Sequence, residues 1–283
     1  MGRRRVGRAG LHGGRRRAAP GGLPARAARP RPTPVTRRAG GGGRGPGGGT
    51  VRRTRRKGSH VMTSGTRAGR GPRVVLFDLD DTLVVTAEVK WAHHKAVARR
   101  FYGIDLTDAE LALHWGKPFD AMIRALYRDS DTLERMREAN LSLEEEFLKR
   151  PLPGAVEVVH ELWRRSVGVG VVTSTNRLSA LRDVERIGVR TDRLVLLQGA
   201  DDSPHHKPDP RVFDAALATL SGRGVGVDDV WYVGDALIDL AAATGAGLRF
   251  VGVATGFHTR GDFERAGAEY VLDDVRQLPD LLP

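Results

Sequence analysis

The sequence predicts an α/β fold, a doubly wound parallel sheet with one inserted α-helical domain. Five continuous apolar runs indicate strands buried on both faces, at residues 73–77, 167–172, 194–197, 230–233 and 250–253. Amphipathic stretches separate most of these runs, so strand and helix alternate as they do in doubly wound sheets. The first connection is the exception, because it is far longer than the helix and short loops of one βα unit.

Helical periodicity accounts for the segments between the strands. In the core, the apolar spacing predicts helices at residues 155–165, 178–187, 210–220 and 238–243. The long connection contains four more helical stretches, at residues 89–101, 108–115, 119–127 and 132–148, separated by Gly and Pro. The economical interpretation is a helical bundle at residues 86–152, inserted into a core formed by residues 73–85 and 153–283.

Charge is distributed very unevenly along the 283 residues. Residues 1–73 contain 21 of the 46 Lys and Arg residues and no Asp or Glu, whereas the remainder has 25 basic and 34 acidic residues. Residues 1–72 are rich in Arg and Gly and poor in large apolar side chains, which predicts disorder. One interpretation is an arm that binds nucleic acid. We favour an over-extended reading frame with a start at Met62, because no aromatic residue interleaves the arginines to stack on bases.

Composition excludes several classes of function. The chain has no cysteine, so disulfide frameworks, thiolate metal sites and cysteine nucleophiles are excluded. No segment approaches the roughly 18 consecutive apolar residues of a membrane helix. No apolar run follows the arginines near the N-terminus, as it would in a secretory signal. We therefore expect a soluble cytoplasmic protein.

Three carboxylates follow the first predicted strand. Asp78, Asp80 and Asp81 lie within four positions, at the strand end where open parallel sheets bind their ligands. Clustered carboxylates repel one another unless a cation is present, and their hard oxygen atoms suit Mg²⁺. The alternative is an ordinary turn, in which Asp is also common.

Two further segments could contact an anion. Thr173, Ser174 and Asn176 lie between the second strand and a helix, where hydroxyl and backbone N–H groups bind phosphate. The alternative is that Thr175 or Asn176 caps the helix. Lys207 precedes a proline that keeps its backbone extended, so it is either a charge aimed at a phosphate or a carboxylate, or a solvated side chain.

The fourth predicted strand ends in a second acidic pair. Asp235 follows a glycine, and Asp239 lies four residues later, one helical turn away on the same side. Each could simply stabilise the start of that helix. Taken together, however, three strand ends and one loop deliver carboxylates, a threonine and a lysine to the same edge of the sheet.

In combination these motifs resemble the haloacid dehalogenase-like (HAD) hydrolase superfamily, most closely its phosphoglycolate phosphatase-like branch. The resemblance is carried, in order, by Asp78-Leu79-Asp80-Asp81-Thr82, Thr173, Lys207 and Gly234-Asp235 with Asp239. It implies a HAD-like Rossmannoid core, a C1-type helical cap and Mg²⁺-dependent hydrolysis of a small phosphorylated metabolite through an aspartyl phosphate. Asp81 stands where the family often has Gly, a variant that is also frequent within it.

The resemblance also implies a role for each residue. Asp78 is the nucleophile, Asp80 the general acid and base, and Lys207 a catalytic cation that also binds the phosphate with Thr173, Ser174 and Asn176. The Mg²⁺ ligands are the carboxylates of Asp78 and Asp235 and the backbone carbonyl of Asp80, with Asp239 beside them. The acid role of Asp80 predicts a raised pKa, which the adjacent carboxylate could supply.

Substrate contacts and competing functions stay open at this point. Lys117, Arg124, His93 and His94 of the cap are candidate substrate contacts, although solvated cap surface is the alternative for each. Asp80 favours a phosphatase over a dehalogenase, because a departing halide needs no proton. The competing functions are a phosphomutase of the same fold and a protein that binds nucleic acid through its basic N-terminus and has a vestigial enzyme core.

Overall fold

Six parallel strands form the central sheet of the structure, a computed structural model that describes residues 71–283. The strands in this range are β1 (Val74–Phe77), β2 (Val84–Val85), β3 (Arg150–Pro151), β4 (Gly168–Val172), β5 (Leu197–Gln198), β6 (Val230–Gly234), β7 (Arg249–Val253) and β8 (Tyr270–Leu272). The sheet order is β5-β4-β1-β6-β7-β8. Strand β1 is central, and the order reverses between β1 and β6, which is where open α/β sheets place their ligands. The doubly wound parallel sheet predicted from the sequence is confirmed.

Nine α-helices accompany these strands within residues 71–283. They are α1 (Ala87–Tyr102), α2 (Asp108–His114), α3 (Phe119–Leu126), α4 (Leu133–Ser142), α5 (Ala155–Arg164), α6 (Arg177–Arg186), α7 (Asp214–Ser221), α8 (Leu237–Gly245) and α9 (Arg260–Arg265). Successive residues of β1 point to opposite faces of the sheet, so Val75 and Phe77 join one apolar core while Val74 and Leu76 join the other. Helices cover both faces, which explains why the strand sequences are apolar throughout.

Helices α1 to α4 form the insertion and have an apolar core of their own. Ile123, Tyr127 and Met136 are fully buried at its centre. The two chain segments that connect it to the sheet pair with each other as strands β2 and β3, with Val84 opposite Pro151. Both ends of the insertion therefore leave the core side by side, next to the carboxyl end of β1.

Several element bounds differ from the sequence prediction. The third strand is regular only at β5, because residues 191–193 form a 3₁₀ turn at the sheet edge. Strand β8 and helix α9 are not among the predicted elements, since three and six residues are too few for a clear periodicity. The helix predicted at 210–220 begins with a 3₁₀ turn. The helix predicted at 132–148 is shorter in the structure, where α4 ends at Ser142.

The predictions for the basic N-terminus, residues 1–70, lie outside the described residues. Within residues 71–283, no helix is long and apolar enough to cross a membrane.

Candidate active site

A buried lysine joins two carboxylates at the carboxyl edge of the sheet. Asp78 directly follows β1 and is fixed by its backbone N–H, which donates to the Val233 carbonyl at 2.8 Å. Lys207 reaches in from the loop before α7, with its Nζ atom 2.6 Å from Oδ1 of Asp78 and 2.8 Å from Oδ1 of Asp239. All three side chains are buried. Lys207 is therefore a buried cation that points into the protein. The alternative that it is a solvated loop side chain is wrong.

Burial dominates the protonation of this group. It raises the pKa of Asp78 to about 7, with the charges of Asp239 and Asp80 adding to the effect and Lys207 opposing it. Burial by itself would lower the pKa of Lys207, but the charges of Asp239 and Asp78 hold it well above its usual value. The lysine therefore remains a cation at neutral pH, next to a carboxyl group whose charge depends on its surroundings.

Asp235 is the carboxylate at this edge that lacks a balancing charge. It lies at the end of β6, where it accepts a hydrogen bond from Thr82 Oγ1 at 3.2 Å and has no cationic partner among residues 71–283. Burial, followed by the charges of Asp78 and Asp239, holds its pKa well above the usual value. A Cβ atom on Gly256 would overlap its carboxylate, so only a glycine fits there.

This arrangement fits a divalent cation. Carboxylate oxygens of Asp78, Asp235 and Asp239 lie within 4.8 Å of one another, and all three residues are buried. Oxygen ligands of this kind suit Mg²⁺, and an added cation would favour the ionised form of Asp235, whose pKa is otherwise raised. The carboxylates of Asp78 and Asp235, which the sequence predicts to lie together, are both part of this cluster. The carboxylate of Asp80 instead contacts Lys149, Thr86 and Thr175.

Asp80 is held by groups from both connections to the insertion. Its Oδ1 atom accepts from Lys149 Nζ at 2.5 Å and from Thr86 Oγ1 at 2.6 Å. Its Oδ2 atom accepts from Thr175 Oγ1 at 2.6 Å. Burial alone would raise the pKa of Asp80, but the Lys149 charge and these hydrogen bonds hold it below its usual value. The expected rise in this pKa is therefore wrong for this arrangement, because the Lys149 charge and the hydrogen bonds outweigh the effect of burial.

The segment after β4 lies beside Asp80. Thr173 is buried, and its Oγ1 atom accepts from the Thr175 N–H at 3.1 Å. Neither Thr175 nor Asn176 caps α6 with its side chain; the carboxylate of Asp201 accepts from the Arg177 N–H instead, at 2.6 Å. The alternative that Thr175 or Asn176 caps this helix with its side chain is therefore wrong.

The exposed part of this segment keeps donors available. Ser174 and Asn176 are exposed. Their backbone N–H groups have no acceptor within the part of the chain that the structure describes. Free backbone donors at the start of a helix form a surface that an anion can contact.

The four candidates in the insertion separate into two pairs. Lys117 and Arg124 are exposed, and each has a local partner, His114 Nδ1 at 3.0 Å and Asp129 Oδ1 at 2.9 Å. Neither contacts a sheet-edge carboxylate among residues 71–283. His93 and His94 are instead buried, 1% and 3% exposed, so solvated surface is wrong for both.

Lys149 is the main residue that sequence reasoning misses. It is 8% exposed, and its Nζ atom also lies 2.9 Å from Oδ2 of Asp183 in α6. Its sequence context, a charged stretch of glutamates and an arginine before two prolines, gives no signal of burial. Only the pairing of β2 with β3 brings it back to the end of β1.

The fold and the site together define an α/β enzyme of the Rossmann-like type, with a buried acidic edge and a helical insertion after its first strand. Residues 75–253 match the haloacid dehalogenase-like hydrolase family. The chain belongs to that family, and the resemblance inferred from its motifs is confirmed.

Comparison with individual proteins agrees with this assignment. The chain is 29% identical to phosphoglycolate phosphatase 1 of Pseudomonas aeruginosa, over 76% of this chain and 80% of that one. It is 28% identical to the N-acetylmuramic acid 6-phosphate phosphatase of the same species, over 74% and 94%. In fold it is similar to a proposed β-phosphoglucomutase from Thermotoga maritima, with a TM-score of 0.65, 22% identity, and coverage of 74% and 99%.

Proposed function

We propose that the protein is a Mg²⁺-dependent phosphatase that hydrolyses a small organic phosphate monoester through an aspartyl phosphate. The observation that carries this proposal is the position of Lys207 Nζ, 2.6 Å from Asp78 and 2.8 Å from Asp239, beside the uncompensated Asp235. A carboxylate can attack a phosphate dianion only where positive charge offsets the repulsion between them. The names of the curated relatives, which are phosphatases of small phosphorylated compounds, support the same reaction.

In the proposed reaction, Asp78 attacks phosphorus and the bond to the ester oxygen breaks. The leaving alcohol takes a proton from Asp80, and water then hydrolyses the aspartyl phosphate as Asp80 removes its proton. Lys207 neutralises charge on Asp78 and on the phosphoryl oxygens, while Thr173 and the free N–H groups of Ser174 and Asn176 hold those oxygens. These roles balance protons over the cycle, since Asp80 returns to its starting state.

Asp80 has one further requirement. Both of its oxygens already accept hydrogen bonds, from Lys149 and Thr86 on one side and from Thr175 on the other. This arrangement suits the step in which Asp80 accepts a proton from water. The step in which it donates a proton needs the contact with Lys149 to loosen, and we propose that movement of the cap-like insertion provides this.

Asp78 and Asp235, with the Asp80 backbone carbonyl, would hold the Mg²⁺ ion, and Asp239 would stay beside them, paired with Lys207. The ion would supply positive charge for the attacking carboxylate and the phosphate. Asp235→Asn should weaken Mg²⁺ binding measured by calorimetry, while Asp228→Asn, at an exposed position, should not. Equal binding by both variants would exclude Asp235 as a ligand.

The reaction itself is tested by phosphate release from a panel of monoesters that includes phosphoglycolate, sugar phosphates and nucleotides. Release should require Mg²⁺ and stop after exhaustive chelation. Activity that survives chelation would overturn the metal requirement. Transfer of phosphate only when a second hydroxyl compound is added would instead identify a phosphomutase. A cytoplasmic location stays a prediction from the sequence.

A further inference from the structure

The insertion contains a cavity of about 480 Å³ that the proposed chemistry does not use. It lies between α1, α3 and α4, with Met122 and Leu141 on its wall. Its volume falls within the range of small-molecule sites, roughly 300 to 1,000 Å³.

Two contacts relate this cavity to the candidate active site. Lys90 lines it from α1, and the Lys90 N–H donates to the carbonyl of Thr86, the residue whose hydroxyl contacts Asp80. One helical turn, about 6 Å, thus separates the cavity wall from a partner of Asp80.

The second contact comes from the core. Trp115 also lines the cavity, and its ring lies 6.1 Å from that of Phe257. Phe257 follows Gly256, whose backbone packs against the Asp235 carboxylate. Chains of contacts therefore connect the cavity wall to the proposed acid and base through Lys90 and Thr86, and to the segment beside the proposed metal ligand through Trp115 and Phe257.

The charged groups at the cavity are already paired. Lys90 lies 3.4 Å from Glu144, and Arg137 makes two hydrogen bonds with the carboxylate of Asp120, at 2.9 and 2.5 Å. An anionic group entering the cavity would have to compete with these carboxylates. The remaining wall is largely apolar, so the cavity favours an uncharged guest.

One buried polar residue lines this largely apolar space. His94 is 3% exposed, and its Nδ1 atom is 2.8 Å from the Tyr127 hydroxyl. Asn140 Nδ2 donates to the same hydroxyl at 2.5 Å, so the hydroxyl donates to Nδ1 and the ring proton lies on Nε2. Among residues 71–283 this Nε2–H group has no acceptor. Because His94 lines the cavity, a bound molecule could supply one. Burial, with the charges of His93 and Lys90, lowers the pKa of His94 to about 3, so the ring is neutral.

We infer that this cavity receives the alcohol portion of the substrate, and that this portion is uncharged, with an apolar or aromatic body and one hydrogen-bond acceptor for His94. The inference rests on the proposed phosphatase function and specifies its substrate class. A carboxylate-bearing alcohol would place its charge against the apolar wall and would compete with Glu144 and Asp120 for Lys90 and Arg137.

The first test compares benzyl phosphate with methyl phosphate and phosphoglycolate. We expect kcat/KM for benzyl phosphate to exceed both by roughly 10-fold or more. Leu141→Trp, at a side chain on the cavity wall that is 67% exposed, should lower the ratio of kcat/KM for benzyl phosphate to kcat/KM for methyl phosphate. Leu113→Trp, at a side chain that is 69% exposed and does not line the cavity, is the matched control and should not change this ratio. A preference for phosphoglycolate, or an equal effect of Leu141→Trp on all three esters, would overturn the inference.

The second test separates this inference from the proposed function. If no monoester is hydrolysed, the phosphatase proposal fails. Calorimetry with benzylphosphonate and methylphosphonate still measures whether the cavity binds an aromatic group. Tighter binding of benzylphosphonate that Leu141→Trp abolishes would support it; equal binding of the two probes would overturn it. For the donor, 4-methoxybenzyl phosphate should be preferred over benzyl phosphate by the native protein and not by His94→Phe. The absence of that preference in the native protein would remove His94 from the inference.

Discussion

The Nζ atom of Lys149 lies between two carboxylates, 2.5 Å from Oδ1 of Asp80 and 2.9 Å from Oδ2 of Asp183. Lys149 directly precedes β3, so one side chain connects the end of the insertion to the proposed acid and base and to α6. Breaking a buried ion pair from one side leaves an uncompensated charge, which typically costs about 3 kcal/mol or more. We therefore expect Lys149→Met to lower the free energy of unfolding by about that amount.

Activity should distinguish this role from simple support of the fold. Lys149→Met should lower kcat more than it changes KM, because the substrate phosphate is bound by other groups, and Lys149→Arg should restore part of kcat. Lys95→Met is a control, since Lys95 pairs with Asp108 at the exposed surface of the insertion. Urea unfolding and steady-state kinetics on all three variants measure both effects. An unchanged kcat in a folded Lys149→Met protein would contradict the proposed link to Asp80.

The three clustered aspartates should respond differently to the same isosteric change. Asp78→Asn should lower kcat by at least about 10³-fold, because an amide is not a nucleophile. Asp80→Asn should block the second step, so that labelled aspartyl phosphate accumulates. Asp81 instead accepts hydrogen bonds from the N–H groups of Thr86 and Ala87 at the start of α1. Asp81→Asn keeps that acceptor and should retain most activity.

Mass spectrometry of the trapped intermediate and phosphate release would measure this series. Circular dichroism would check that each variant is folded. Substantial turnover by Asp78→Asn, in a preparation free of other phosphatases, would show that Asp78 is not the nucleophile.

The buried histidines should make the protein less stable in mild acid. The pKa of His94 is lowered to about 3 and that of His93 is also lowered, in both cases chiefly by burial. The unfolded chain takes up protons below pH 6.5 that the folded chain does not accept, so the free energy of unfolding falls as pH decreases from about 6.5 towards 3. Each histidine contributes up to about 1.4 kcal/mol per pH unit.

Urea unfolding between pH 7 and pH 4.5, followed by tryptophan fluorescence, measures this slope. His94→Gln should reduce it, whereas His160→Gln, at an exposed position of α5, should leave it unchanged. A slope that is the same in all three proteins would show that His94 does not contribute.

Deletion of residues 1–61 should leave activity on small substrates unchanged. All proposed catalytic residues lie between Asp78 and Asp239, and long-range attraction between solvent-exposed charges of opposite sign is screened at physiological salt. The measurement is kcat/KM for the full and shortened chains at about 0.15 M salt. A tenfold decrease with an intact core would assign these residues to the site. Salt-dependent binding of DNA or RNA that disappears on deletion would instead support the nucleic-acid interpretation.

The sheet and its acidic edge could be predicted because both depend on local sequence. Strands covered on both faces must be apolar, and parallel strands all end at the same edge, so Asp78 and Asp235 meet whatever the details of the loops. Edge strands such as β5 and β8 carry weaker patterns. The contact of Lys149 with Asp80 depends on how two distant linkers pair, and the burial of His94 depends on the partners Tyr127 and Asn140. Neither is encoded in a short stretch of chain.

The pairing of β2 with β3 has an evolutionary consequence. The two ends of the insertion stand opposite each other as neighbours in an antiparallel ladder, roughly 5 Å apart. To the sheet, everything between them is equivalent to a closed loop, and lengthening such a loop costs little free energy. The helical insertion could therefore be exchanged for a bundle of different size that keeps strands β2 and β3. The catalytic edge would keep its geometry while the range of accepted alcohols changed with each exchange.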